Sequence, residues 1–300
     1  ADLCRERDSV CNDISIPPYF YNQRKNIIQR AHRVTLGYSH PTIGPKLGPR
    51  FATEGAAACY DGGDRIYLCN GYMRAFWALE LRTSRTTGKP GQDLVPIADL
   101  RATRLRGLPI HTYSNTGFIN NDNGGGNAAL VVHAGAVYGL FDPVTRILWR
   151  YEIGANQWRK ATVLPADLTY TSRDGIDLFS YQQRLWVLTK TGVSSFSETD
   201  GWAKAIRIDL PYSSNGGMAA LDPSTGMVYV VRGEGTADFA TLHLPSGQCK
   251  LLIDYLPDVV SVYGRRINVT SWDGQRYVCI YRGHDTGERW RLKLPPHGRL

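Results

Sequence analysis

Ala128–Leu164 reads AALVVHAGAVYGLFDPVTRILWRYEIGANQWRKATVL and falls into four short extended runs. Ala128 to Val132 is small and apolar, and Val137-Tyr138-Gly139 places an aromatic inside an apolar context. Ile147 to Tyr151 follows the turn residues Asp142-Pro143, and the amphipathic run Gln157 to Leu164 closes the unit. Extended runs rich in β-branched and aromatic residues, cut by Gly, Pro and Asp, are the signal of antiparallel hairpins. The aromatic run returns along the chain as Ile66-Tyr67-Leu68, Leu185-Trp186-Val187, Val228-Tyr229-Val230 and, with Asn in the central place, Ile267-Asn268-Val269. The central residues of the five copies stand 71, 48, 43 and 39 positions apart. Self-similarity at such spacings marks stacked supersecondary units.

The other runs return with it. Ala56 to Tyr60, Ile176 to Ser180, Met218 to Leu221 and Val259 to Tyr263 take the first position; Phe76 to Leu79, Phe239 to Leu242 and Tyr277 to Ile280 take the third. Trp202 to Ile208, Cys249 to Tyr255 and Glu288 to Leu294 take the fourth. Asp61 to Asp64, Asp222 to Gly226 and Trp272 to Gly274 supply turns. Four short strands per unit of this length is the design of a propeller blade. The expected fold is all-β, a β-propeller of five four-stranded blades over 55–300, with six blades left open and a two-sheet sandwich as the rival. Helix is excluded by run length and by the Val, Tyr, Trp and Thr content; only Asn22 to His32 has helical character. Residues 1–54 match no complete blade and are expected to form an extension that clasps the ring across its seam.

Ala136 to Pro165, with Leu148-Trp149-Arg150-Tyr151-Glu152 and Asn156-Gln157-Trp158, resembles a kelch repeat, and Arg65-Ile66-Tyr67 with Phe76 to Leu81 looks like a second copy. The paired glycine that the family carries after its aromatic strand is approximated only by Asn70-Gly71 and Gly233. The resemblance implies a propeller, a fold used by binding modules and by copper oxidases alike, and implies no particular ligand.

The six cysteines, Cys4, Cys11, Cys59, Cys69, Cys249 and Cys279, form no C-x-x-C pair. They are expected to be disulfides pinning the tail and the closure in an oxidising compartment. Asn268-Val269-Thr270 is a glycosylation sequon that agrees with export. No apolar run reaches the ~20 residues that cross a bilayer. The chain is therefore expected to be secreted.

Blade geometry directs attention to the loops joining second and third strands and to the connectors between blades. Tyr170 to Gly175 and Tyr212 to Gly217 share a pattern of Tyr, hydroxyls and an Asn or Asp, and Tyr113 to Gly117 repeats its composition. An aromatic face beside donors and acceptors suits a sugar ring. The candidate ligand-binding residues are Tyr113, Tyr170, Arg173, Asp174, Tyr212, Asn215, Arg232, Trp272 and Asp273. A net charge of +8 and a pI near 9.2 add attraction to polyanions, with Arg101, Arg104 and Arg106 among the densest basic parts.

Asn120 to Asn127 lacks the spaced carboxylates of a calcium loop. Serine-hydrolase elbow, zinc, phosphate-loop and dinucleotide motifs are all missing. No cofactor is expected. The leading expectation is a secreted lectin-like propeller for carbohydrate, acidic polysaccharide or an anionic surface. One alternative is a glycosidase or lyase using acids such as Asp142, Asp174, Glu234, Asp238 and Asp273. The other is a structural or adhesive subunit that binds an extracellular protein. Nucleic acid is not expected, since no reader motif is present.

Overall fold

The computed structural model describes residues 3–6, 57–69, 75–80, 101–109, 128–142, 145–170, 175–208, 217–233, 235–253, 255–257, 266–272, 274–281 and 289–294. All regular structure among them is β, and the fold is a five-bladed β-propeller. The strands gather into five antiparallel sheets, each built from neighbours in sequence as a meander.

The compact unit spanning 8–163 contains two of the sheets. The first sheet runs β2 (Ala57–Tyr60), β3 (Arg65–Cys69), β4 (Phe76–Glu80), β5 (Arg101–Arg104), and the second β6 (Ala129–His133), β7 (Ala136–Leu140), β8 (Ile147–Glu152), β9 (Gln157–Val163). The first strands β2 and β6 lie beside each other. The second strands are buried along nearly their whole length because both faces are covered: Tyr67, Leu68 and Cys69 in β3, and Ala136 to Leu140 in β7. Between the sheets, the Phe76 ring stands 5.0 Å from both Tyr151 and Trp158, and Trp158 meets Phe141 edge-on at 5.4 Å. This packing explains Gly139, which interrupts an otherwise apolar strand. A Cβ there would overlap the Phe141 ring, so the phenyl group fills the volume that a larger side chain would take.

The other unit comprises 1–7 and 164–300 and contains three sheets. The third sheet runs β10 (Ile176–Tyr181), β11 (Arg184–Thr189), β12 (Gly192–Ser197), and its fourth position is shared by two short strands, β13 (Gly201–Trp202) and β14 (Ile206–Arg207), both paired to β12. The fourth runs β15 (Met218–Asp222), β16 (Met227–Val231), β17 (Phe239–His243), β18 (Gln248–Leu252). The fifth runs β19 (Arg266–Trp272), β20 (Gln275–Tyr281), β21 (Arg289–Lys293), and its outer strand is β1 (Leu3–Glu6). First strands again adjoin, β10 beside β15 and β15 beside β19. Trp186, Leu188, Val228 and Leu242 fill the space between the third and fourth sheets, and Tyr229, Phe239, Ile280 and Trp290 that between the fourth and fifth.

The N-terminal clasp is present as β1, with Leu3 opposite Leu292 and Glu6 opposite Arg289. Of the expected 1–54 extension, only this strand lies among the described residues.

The fifth unit differs from its sequence reading by one strand. Ile267-Asn268-Val269 belongs to β19, the first strand, and the second strand is β20 with Tyr277 at its aromatic place. Tyr277 follows Tyr229 by 48 positions (277 − 229), so the true repeat was present in the sequence. Glu288 to Leu294, read as a fourth strand, contains the third, and the chain's own beginning supplies the fourth. Val259 to Tyr263 lies outside the described residues.

Cys59, Cys69, Cys249 and Cys279 are present as thiols, which corrects their expected pairing. Cys4 faces Arg291, and Arg291 faces Cys279 on its other side, so two strand spacings separate Cys4 from Cys279. That is about 10 Å, beyond the ~7 Å Cα limit of a disulfide. Cys11 lies outside the described residues. Burial pushes the Cys69 thiol up to about 12, and burial followed by the neighbouring Cys69 and Asp61 raises Cys59. Both stay protonated when folded, whereas an unfolded thiol ionises near 9. Their contribution is therefore complete below pH 9 and is lost as pH climbs from about 9 toward 12. At pH 8 a thiol reagent is expected to label exposed Cys249 in the native protein, with Cys69 and Cys279 reacting only in denaturant. Equal labelling rates for the three, read by peptide mass spectrometry, would contradict the burial described.

Candidate functional site

In each meander the loops between second and third strands emerge at the same end as the connectors between sheets, and the first hairpins emerge at the other. At the connector end of the third sheet, the loop after β11 is held by hydroxyls. Thr191 Oγ1 donates to Asp167 O at 3.0 Å and accepts from Thr169 N at 3.1 Å. Thr189 Oγ1 lies 3.1 Å from Thr191 Oγ1 and donates to Gly192 O at 3.2 Å. These bonds tie the 164–170 connector to the loop and fix the local backbone. Lys190 is exposed in that loop, and exposed Arg207 stands opposite Gly192 across the β12–β14 pair. Two cations thus flank one rigid turn.

In the fourth sheet, Arg232 Nη1 donates to Asp238 Oδ2 at 2.9 Å, while Arg232 N donates to Asp238 O at 3.2 Å. Asp238 is 5% exposed, so its charge is compensated within the loop it closes. Thr236 Oγ1 donates to Gly233 O at 2.8 Å and completes the turn. Asp177 Oδ2 accepts from Ala219 N at 3.1 Å and joins the first strands of the third and fourth sheets. In the second sheet, Asp142 Oδ2 accepts from Thr145 Oγ1 at 2.8 Å. Asp142, Asp177 and Asp238 therefore accept from a hydroxyl, a backbone amide and a guanidinium, respectively, within the fold. Asp174, Glu234 and Asp273 lie outside the described residues.

Of the candidate ligand contacts, Arg232 reaches the expected loop and is engaged with Asp238. Tyr170 lies on the expected connector but is 4% exposed, so its ring packs inward and presents no face to a sugar. Trp272 ends β19 and opens the first hairpin of the fifth sheet, the end opposite the connectors. The one-strand offset in reading the fifth unit caused this misplacement. Tyr113, Arg173, Asp174, Tyr212, Asn215 and Asp273 lie outside the described residues, as does the polar stretch 120–127. Asn268 sits in mid-strand opposite Cys279, half-buried with its amide oxygen buried.

The basic connector after β5 is structural where it is described. Arg106 N donates to Asn156 Oδ1 at 2.8 Å, and Arg106 O accepts from Trp158 Nε1 at 3.1 Å, which straps the first sheet to the second. Arg104, Arg106, Arg159 and Lys160 are exposed around this strap. Arg159 shares the Glu152 carboxylate with Arg150 at 2.7 and 3.1 Å.

A different constellation, invisible in sequence, lies at the first-hairpin end of the fourth and fifth sheets. Arg276 Nη1 donates to Asp222 Oδ2 and, at 2.8 Å, to Ser224 Oγ. Ser224 donates to Asp222 Oδ1 through Oγ at 2.5 Å and through N at 3.0 Å. Asp222 is 1% and Arg276 8% exposed, so this ion pair is internal. Burial, reinforced by the Asp222 charge, pushes the nearby Tyr229 hydroxyl up to about 12. The adjacent Gly226 turns with φ of 75° and lies under the Tyr181 ring, a place no side chain could share. Every member has its partner inside the fold, so the group works as a latch between hairpins.

Among the described residues, no three His, Cys, Asp or Glu gather as a metal set. No protein-family model matches the chain. No curated protein matches it either. A solved structure described as that of YjhT, of propeller type, is similar with a TM-score of 0.51 and 12% identity, covering 75% of this chain and 72% of that one. At that identity the likeness speaks for the fold alone.

Proposed function

We propose that the chain is a non-enzymatic propeller that binds an acidic carbohydrate at the connector end of its sheets. The observation that carries this reading is the pair of exposed cations, Lys190 and Arg207, on the hydroxyl-braced loop of the third sheet. A rigid turn spends little ordering entropy on a ligand. Asp142, Asp177 and Asp238 at that end each accept a hydrogen bond within the fold, which counts against them as the acids of the hydrolase alternative. A net charge of +8 adds long-range attraction to sulfated or carboxylated sugars. Export no longer has the cysteines behind it, and the proposal does not depend on it.

A panel of neutral, carboxylated and sulfated oligosaccharides, titrated at low and high salt, tests the reading. Acidic members are expected to bind, with affinity falling as salt rises. Lys190→Glu with Arg207→Glu is expected to weaken that binding about 10-fold or more while the fold is kept. Binding that ignores both salt and the double variant would overturn the site, and release of shortened saccharides would favour the enzyme.

A further inference from the structure

We propose a second saccharide site on the outer part of the second sheet, where half-buried Trp149, exposed Lys160 and the Arg106 strap take a sulfated or carboxylated sugar. Residues that face each other across an antiparallel pair share one face of the sheet. The face toward the first sheet therefore carries its side chains in successive rows. One row is Val137, Tyr151 and Trp158, and the next is Gly139, Trp149 and Lys160. Beyond them, on the outer pair of strands, Ile147 stands opposite Val163.

Burial separates these rows. Val137, Tyr151 and Trp158 are 0%, 1% and 8% exposed. The strap lies against them: Trp158 Nε1 donates to Arg106 O at 3.1 Å, and Leu105 packs into the same core. In the next row the Phe141 ring fills the space above Gly139, so the inner neighbour of Trp149 is that phenyl group and its outer neighbour is Lys160 on the edge strand β9. Trp149 is only half-buried and Lys160 is exposed, as is Val163 beside half-buried Ile147. The cover given by the first sheet thus ends at a ledge. Its floor is apolar, from Trp149, Ile147 and Val163, and its cations are Lys160 at the rim and Arg106 on the strap.

The chemistry of the ledge selects its ligand. Arg150, Glu152 and Arg159 form their ion pairs on the opposite face of the sheet, so that carboxylate does not neutralise Lys160. An indole face packs on the C–H face of a pyranose. An ammonium and a guanidinium beside it take a sulfate or carboxylate through charge-assisted hydrogen bonds. A neutral sugar would leave both cations unused, and a bare anion would leave the indole unused; a sugar ring with an acidic substituent uses all of them. The strap is fixed before any ligand arrives, since Arg106 N donates to Asn156 Oδ1 and Arg106 O accepts from Trp158. A preformed wall keeps the ordering cost of binding low. The ledge belongs to the 8–163 unit and does not rest on the Lys190 and Arg207 loop, which belongs to the other.

A sulfated tetrasaccharide and its desulfated counterpart test this by oxidative footprinting of the wild type, a readout free of folding defects. The sulfated chain is expected to protect Trp149 from oxidation, and the desulfated chain to leave it open at the same concentration. Calorimetry then separates this site from that of the third sheet. Protein carrying Lys190→Glu and Arg207→Glu is expected to keep one site for the sulfated chain, and adding Lys160→Glu to raise its dissociation constant about 10-fold or more. Trp149 left unprotected, equal protection by both sugars, or an affinity indifferent to Lys160→Glu would overturn the proposal. So would protection by an acidic peptide and by neither sugar. Loss of all binding with Lys190→Glu and Arg207→Glu alone would overturn the ledge and leave the third-sheet site standing. One site per chain in the wild type, unchanged by those two substitutions and weakened by Lys160→Glu, would uphold the ledge and overturn the third-sheet site.

Discussion

Arg276→Ala is expected to cost the folded protein about 3–5 kcal/mol, because it leaves the Asp222 carboxylate buried without its cation. Asp222 has a side chain 2% exposed and cannot turn to water without dismantling the β15–β16 hairpin that it caps through Ser224. The loss separates two sheets, since the aspartate belongs to the fourth and the arginine to the fifth. Removing both charges together is a different experiment. Asp222→Asn with Arg276→Met should recover most of the stability, because well-packed neutral groups replace a buried ion pair at little net cost. Urea unfolding of the wild type, the single and the double variant measures this directly. Salt should leave the single variant's deficit unchanged, as expected of a pair shielded from solvent. A deficit under about 0.5 kcal/mol for Arg276→Ala would place the pair with surface ion pairs instead.

Deleting residues 1–7 is expected to have an effect of similar size. β1 makes a four-pair ladder with β21, from Leu3 opposite Leu292 to Glu6 opposite Arg289. At about 1 kcal/mol for each of about four ladder hydrogen bonds, the loss is roughly 4 kcal/mol before any packing is counted. For a chain of this size that corresponds to a fall in melting temperature of roughly 10 °C. The variant also exposes β21 as a new edge beside fully buried Trp290, so aggregation on heating should increase. A truncated protein that melts with the wild type would remove β1 from the account of stability.

The fold was legible because its punctuation is local. Asp142-Pro143 and Asp222 to Gly226 make the turns that their residues demand, and Tyr67, Tyr138, Trp186 and Tyr229 mark strands buried on both faces. Strands whose composition hides their burial were missed. β12 reads Gly-Val-Ser-Ser-Phe-Ser, yet Ser194 and Ser195 are buried, their hydroxyls satisfied by Ala203 O at 2.7 Å and Arg184 Nε at 2.8 Å. β5 reads Arg-Ala-Thr-Arg, a charged edge that resembles a loop. The fifth unit went astray because Asn268 stood in for an aromatic while Tyr277 held the repeat.

The candidate site was less legible, for a reason of distance. Lys190 and Arg207 are 17 residues apart (207 − 190) and reach one loop only because a strand pair sets Arg207 opposite Gly192, and Arg276 finds Asp222 from 54 residues away. Composition identified Tyr170 as a sugar platform, but only packing could show that its ring is buried. The same holds for the cysteines, whose even count suggested bridges that the strand register does not permit for Cys4 and Cys279.

The central claim is that the last sheet is completed by the first strand of the chain, and register offers a direct chemical test. Cys4 faces Arg291 across β1 and β21. Opposed Cβ atoms in an antiparallel pair stand about 4.5–5.5 Å apart, near enough to close a disulfide with small adjustment. In protein carrying Arg291→Cys and Cys279→Ser, mild oxidation should join Cys4 to the new thiol at position 291, seen as one linked peptide pair by mass spectrometry. Failure to link these positions in folded protein, or linkage of position 291 to Cys59 or Cys69 in place of Cys4, would contradict it.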